Sequence, residues 1–130
     1  MDLISVSTGT DGGVAVGVRS HRWSSDLSMH EGGADRGPSP SELLAGSLGA
    51  CICLMVEAYC RRHGYEDGSV AASMTYEMGS DPARIAAIVV DLEVPRDVPE
   101  ERRAAIRRIA EACPIHATLG HAVRIDLEIL

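Results

Sequence analysis

The chain reads as an α+β domain of βββαββαβ order. Three observations carry that reading: six stretches alternate apolar and polar residues, two carry helix-start signals followed by apolar residues at helical spacing, and the connections are short. Short connections favour antiparallel pairing. No repeat, low-complexity segment or internal linker interrupts the pattern, so residues 1–130 are expected to form one domain.

In order along the chain, residues 3–8 and 14–19 read as strands, with Ile4 and Val6, then Val14, Val16 and Val18, at period 2. The Gly9-Thr10-Asp11-Gly12-Gly13 run between them is hairpin chemistry. Residues 21–29 predict a third strand with Trp23 and Leu27 on one face. Residues 30–37, polar and glycine-rich, predict a mobile loop.

Ser39-Pro40-Ser41-Glu42 then fits a capping box, with Ser39 at the N-cap, Pro40 at the first helical position and Glu42 reaching back to the Ser39 amide. The spacing predicts a helix from about Pro40 to His63, closed by Gly64, with Arg61, Arg62 and His63 suited to its negative end.

Beyond it, Val70, Ala72, Met74, Tyr76 and Met78 form one alternating strand and Ala86, Ile88, Val90, Leu92 and Val94 another, with a turn at residues 79–82. A second capping box at Asp97–Glu100 predicts a helix to about Ala112 with Ile106, Ile109, Ala110 and Cys113 on its apolar stripe. Pro114 breaks that helix. Val123, Ile125, Leu127 and Ile129 alternate with Arg124, Asp126 and Glu128 in a closing strand.

Composition narrows the function classes. Twelve basic residues, all arginine, stand against 19 acidic ones, a net charge of −7. That balance lacks the basic footprint of a nucleic-acid binder and is repelled by anionic lipid. The first residues show no signal-peptide pattern, and the run from Leu43 to Val56 is shorter than the roughly 20 residues that span a bilayer, so a soluble, cytoplasmic protein is expected. In the cytosol four cysteines are catalytic, metal-binding or simply reduced more often than they form a disulfide framework.

The central helix is apolar around nearly its whole circumference and must be buried on all sides, which a two-layer domain cannot do alone; a homodimer in which two such helices cover each other is the simplest answer. Three cysteines lie on it. Cys51 and Cys53 point about 200° apart, and Cys53 and Cys60 share a face with Cα atoms about 10 Å apart. A disulfide needs roughly 4.4–6.8 Å, so any cysteine pair must use Cys113.

If Pro114 starts a new helical turn, Cys113 is its N-cap, where free amides favour thiolate, and His116 lies one turn along. Cys53 and Cys60 read as small core residues. A zinc site from Cys51, Cys53, Cys113, His116 and His121 is disfavoured because a helical Cys-x-Cys diverges. His21, His30 and His63 read as surface or loop residues, and His121 as the start of a strand.

GPSPSELLAGSLGACICLMVEAY, followed some sixty residues later by CPIHATL, resembles the OsmC/Ohr family of thiol peroxidases across nearly the whole chain. The resemblance implies an interlocked homodimer with no cofactor and no metal, and matches the family's cysteine pair to Cys51 and Cys113. It implies that a Cys51 thiolate attacks a hydroperoxide, preferably organic given Leu48 and Met55, that Cys113 condenses with the resulting sulfenic acid, and that an external dithiol reduces the disulfide, in oxidative-stress defence.

The better-known members carry a glutamate directly after the helix-start proline, paired with an arginine in the first hairpin turn. Here Ser41 follows Pro40, Glu42 stands one place on, and Thr10 falls where that arginine would be; GPSPSELL is closer to a less-characterised branch with Glu at the Glu42 position. Glu42, Ser41, His116 and Arg36, or Arg19 or Arg22, are the candidates for support of the thiolate. The alternative is a non-catalytic protein of the same fold that holds a small apolar or thiol-bearing ligand at the dimer cleft.

Overall fold

The computed structural model describes residues 1–130 and divides into two compact units, Met1–Leu44 and Ala45–Leu130. In the first, strands β1 (Ile4–Thr8), β2 (Val14–Val18) and β3 (His21–Ser25) form an antiparallel sheet in the order β1-β2-β3. Val6 pairs with Val16, and Val16 with Trp23. The β1–β2 turn places Gly12 and Gly13 at φ 83 and 68, left-handed values that glycine adopts without strain.

β3 stops at Ser25, four residues short of the expected strand, so Trp23 and Leu27 share no strand face. The cause is Asp26. Its carboxylate accepts the N–H groups of Leu27 at 2.8 Å, Ala34 at 3.2 Å and Arg36 at 3.3 Å, which turns the chain out of the sheet into a closed loop with a 3₁₀ turn at Met29–Glu31. These bonds pull the Asp26 pKa below its ordinary value against the opposing effect of desolvation, which is the largest single influence. The stretch expected to be mobile is thus tied to this one side chain through Ala34 and Arg36. A side chain on Gly37 would strike the Ser24 carbonyl, and Ser25 Oγ donates to the Pro38 carbonyl at 2.7 Å.

The helix α1 (Pro40–Arg62) opens on the expected capping box: the Ser39 N–H donates to Glu42 Oε1 at 2.9 Å and the Glu42 N–H to Ser39 Oγ at 3.2 Å. At the other end Gly64, at φ 74, lets the Tyr65 N–H return to the Cys60 carbonyl at 2.9 Å. By length and composition α1 could cross a membrane. Its Ala45, Leu48, Gly49, Ile52, Val56, Tyr59 and Cys60 are instead buried in the protein as one face of a core helix.

The opposite side is not covered within the chain. Leu54 is 67% exposed and Ala50 and Ala58 are exposed, so the expectation of burial on all sides fails for a single chain. One layer of partners covers one face.

In the second unit β4 (Ala71–Gly79) and β5 (Arg84–Glu93) form an antiparallel hairpin. Glu77 pairs with Ala87 and Met78 with Ile85, which leaves Ala86 as the extra residue of a bulge. Ala86, expected on the inner face, is therefore exposed, and Ile85 takes the half-buried place.

The capping box expected at Asp97–Glu100 does not form. Asp97 accepts the Glu66 and Asp67 N–H groups, both at 3.2 Å, and Pro99 keeps the chain extended, so a 3₁₀ turn at Glu100–Arg102 leads uncapped into α2 (Arg103–Glu111). A short helix α3 (Pro114–Leu119) follows.

The core gathers Leu48, Ile52, Val56, Tyr59, Cys60, Val98, Ile106 and Cys113, with Met74, Ile88, Val90 and Leu92 from the inner face of the hairpin. Gly49 admits β4 closely: a Cβ there would lie 3.0 Å from Met74 Sδ. The buried Tyr59 hydroxyl has no hydrogen-bond partner. An unmet buried hydroxyl costs about 1–3 kcal/mol, so Tyr59→Phe is expected to leave the urea midpoint unchanged or raise it.

The closing strand is absent: residues 121–130 carry no regular structure, and Ile125, Leu127 and Ile129 are 82%, 79% and 93% exposed. A strand takes its backbone hydrogen bonds from a neighbour, and none in its own chain pairs with this segment.

Candidate active site

Cys51 is half-buried on α1, one residue from the buried Ile52. Cys113 comes to it from the opposite side of the sequence. α2 ends at Glu111, Cys113 takes an extended conformation at φ −64 and ψ 142, and Pro114, which has no N–H to satisfy, opens α3. Cys113 is thereby the N-cap of α3, its Sγ accepting the His116 N–H at 3.2 Å.

The two thiols are neighbours: Cys51 packs against the buried cluster that holds Cys113, it is the side chain that acts on the Cys113 thiol, and both are free. Burial pushes the Cys113 thiol up; the His116 and Ile115 amides oppose this, while Cys51 raises it further by hydrogen bond and by charge.

The other two cysteines line a cleft of about 470 Å³, with Tyr65 and Pro95, that neither Cys51 nor Cys113 reaches. Cys60 is buried and Cys53 half-buried. Burial raises both thiols, with the Asp97 charge adding to the effect at Cys60. No three His, Cys, Asp or Glu side chains gather to hold a metal ion.

The expected supporting residues are mostly committed elsewhere. Glu42 is held in the capping box, where the Ser39 amide and hydroxyl keep its carboxyl below the usual range. Ser41 sits half-buried in the first turn of α1. Arg36 donates from Nη1 to the Gly12 carbonyl at 3.0 Å, bracing the hairpin turn. His116 acts on Cys113 through its backbone N–H; it also lines a cleft of about 730 Å³ floored by Ile52, Val90, Leu92 and Ile106 and rimmed by arginines of α2.

A sequence profile for OsmC-like proteins matches residues 32–128. The chain belongs to the OsmC-like family. Solved structures agree on the fold. An osmotic-stress-induced and detoxification response protein from Psychrobacter arcticus superposes with a TM-score of 0.82 at 19% identity, covering 91% of this chain and 88% of its own. An OsmC-like protein from Mycoplasma pneumoniae gives 0.77 at 17% identity, with 92% and 87% covered. An organic hydroperoxide resistance protein from Vibrio cholerae, with captopril bound in one of its active sites, gives 0.70 at 15% identity, with 92% and 83% covered. No curated protein sequence matches the chain.

Two features of this OsmC-like chain lay beyond the sequence patterns: the close passage of Met74 over Gly49, for which the small residue in an apolar helix was the only signal, and the cleft beside His116. The buried thiols also set an alkaline limit. Cys53, Cys60 and Cys113 all titrate above their unfolded values, so their contribution to stability is complete below about pH 8.5 and is lost as pH rises through the folded pKa values. The urea midpoint is expected to be lower at pH 9.5 than at pH 7.5, as followed by far-UV circular dichroism.

Proposed function

We propose that this protein is a cytoplasmic dithiol peroxidase that reduces organic hydroperoxides in defence against oxidative stress. The observation that carries the reading is the packing of a half-buried Cys51 against the cluster that encloses Cys113, whose sulfur accepts the His116 amide. The family membership and the hydroperoxide-resistance neighbours support it.

The Cys51 thiolate attacks the distal peroxide oxygen. The O–O bond breaks, the alkoxide leaves and takes a proton to become an alcohol, and Cys51 becomes a sulfenic acid. Cys113 then attacks the sulfenic sulfur, giving a disulfide and one water. An external dithiol returns both thiols and leaves as its own disulfide. Neither Glu42 nor Arg36 is assigned a step, because each is engaged in a structural bond. Purified protein supplied with a dithiol is expected to consume cumene hydroperoxide catalytically; a rate no greater than that of the dithiol alone rejects the reading.

The partner is a second copy. The exposed Leu54 face of α1, the exposed Ile4 and Val6 of β1 and the unpaired 121–130 segment are apolar surfaces with the spacing of elements that belong in a core. Light scattering on the eluted protein is expected to give twice the 13.8 kDa chain mass, and Leu127→Glu to shift the protein toward the single-chain mass. A wild-type protein of one chain mass overturns this assignment.

A further inference from the structure

Cys51 and Cys113 differ in how they can be reached. Cys113 has no exposed surface, and it belongs to a cluster with Ile52, Val56 and Ile106 of its own chain. Cys51 lies at the half-buried margin of α1. A second copy of the chain can cover Cys51 further, but it cannot uncover Cys113.

Thiol–disulfide exchange turns this difference into a direction. The attacking thiolate approaches one sulfur and the other departs with the bonding electrons; here access decides, because the enclosed Cys113 sulfur cannot be approached, and this outweighs the burial that makes Cys113 the less stable departing thiolate. Resting on the dithiol-peroxidase reading, we propose that the external dithiol attacks Cys51 Sγ and expels Cys113 Sγ, so the sulfur oxidised by the peroxide is also the one that carries the reductant.

The new bond joins the reductant's sulfur to Cys51, and the Cys51–Cys113 bond breaks. Its electron pair goes to Cys113 Sγ, which accepts the His116 N–H and takes up a proton. The reductant's second thiol then attacks its own bound sulfur, releasing Cys51 as a thiolate and leaving the reductant as a disulfide. Cys113 thus has two successive tasks: it resolves the sulfenic acid, and it leaves.

The test uses the whole oxidised protein. It is converted to the Cys51–Cys113 disulfide by cumene hydroperoxide and, in parallel, by diamide, then mixed briefly with 2-mercaptoethanol, quenched in acid, alkylated and digested with trypsin. Cys51 falls in the 37–61 peptide and Cys113 in the 109–124 peptide. The expected result is a mercaptoethanol adduct on Cys51 and an alkylated Cys113, favoured by about tenfold or more over the reverse. A majority of adduct on Cys113, or an even split, overturns the proposal.

If the adduct is too short-lived to trap, Cys113→Ser and Cys51→Ser proteins are each capped with 2-mercaptoethanol, and release by dithiothreitol is timed. Release from Cys51 about tenfold faster, or failure of Cys113 to accept a cap, supports the assignment; equal or faster release from Cys113 overturns it. A disulfide that forms with diamide but not with the hydroperoxide defeats the peroxidase reading alone and leaves this test standing.

Discussion

Cys51→Ser is expected to lower the turnover of cumene hydroperoxide by about 10³-fold or more, because serine offers neither the thiolate nucleophile nor a sulfur that can be oxidised. The fold should tolerate the change: Cys51 is half-buried, outside the fully enclosed cluster around Val56, Cys60 and Cys113. Cys113→Ser is expected to behave differently. The first turnover survives and leaves a Cys51 sulfenic acid that dimedone can label, while turnover with a dithiol slows because no internal disulfide forms. Equal dimedone labelling of wild type and Cys113→Ser after one equivalent of peroxide would contradict the assigned order.

Ile106→Ala carries the largest expected cost to stability, about 2–5 kcal/mol. Ile106 is the one buried residue of α2 and is 3% exposed. It packs in the cluster with Ile52, Val56 and Cys113, and α3 touches α2 where Cys113 is presented. Against the 5–15 kcal/mol typical of a whole domain, losing this contact removes a large share. It also loosens the wall around Cys113. Urea denaturation should show the lower midpoint, and native-state alkylation at Cys113 should rise in step; a midpoint within about 0.5 kcal/mol of wild type would mean that α2 is held by something other than Ile106.

Much of this structure was legible in the residues. The Ser39–Glu42 capping box, the Gly64 stop and the Cys113-Pro114 start of α3 are local patterns whose hydrogen bonds close within a few residues, and each forms as read; the β4 alternation holds from Ala72 to Tyr76 and fails at Met78, which is exposed beyond the register shift. The misreadings come from longer-range choices. Asp26 binds amides ten residues away and ends β3 early. Asp97 binds amides thirty residues away instead of capping its own helix. The bulge at Ala86 depends on how β4 and β5 slide past each other, which neither strand encodes alone. The 121–130 segment has the right alternation and no partner strand in its own chain.

For the site, local reading placed Cys113 at an N-cap and the family resemblance pointed to Cys51; the geometry joins them. The same geometry holds the Glu42 carboxylate in the cap that its spacing predicts, and the Arg36 guanidinium on a hairpin turn, a position that no spacing rule distinguishes from a catalytic one.

The most direct measurement is the fate of the four thiols after one equivalent of cumene hydroperoxide. Two thiols are expected to be lost, a disulfide to link the 37–61 and 109–124 peptides through Cys51 and Cys113, and Cys53 and Cys60 to remain free. Retention of all four thiols, or a disulfide through Cys53 or Cys60, would contradict the Cys51–Cys113 assignment.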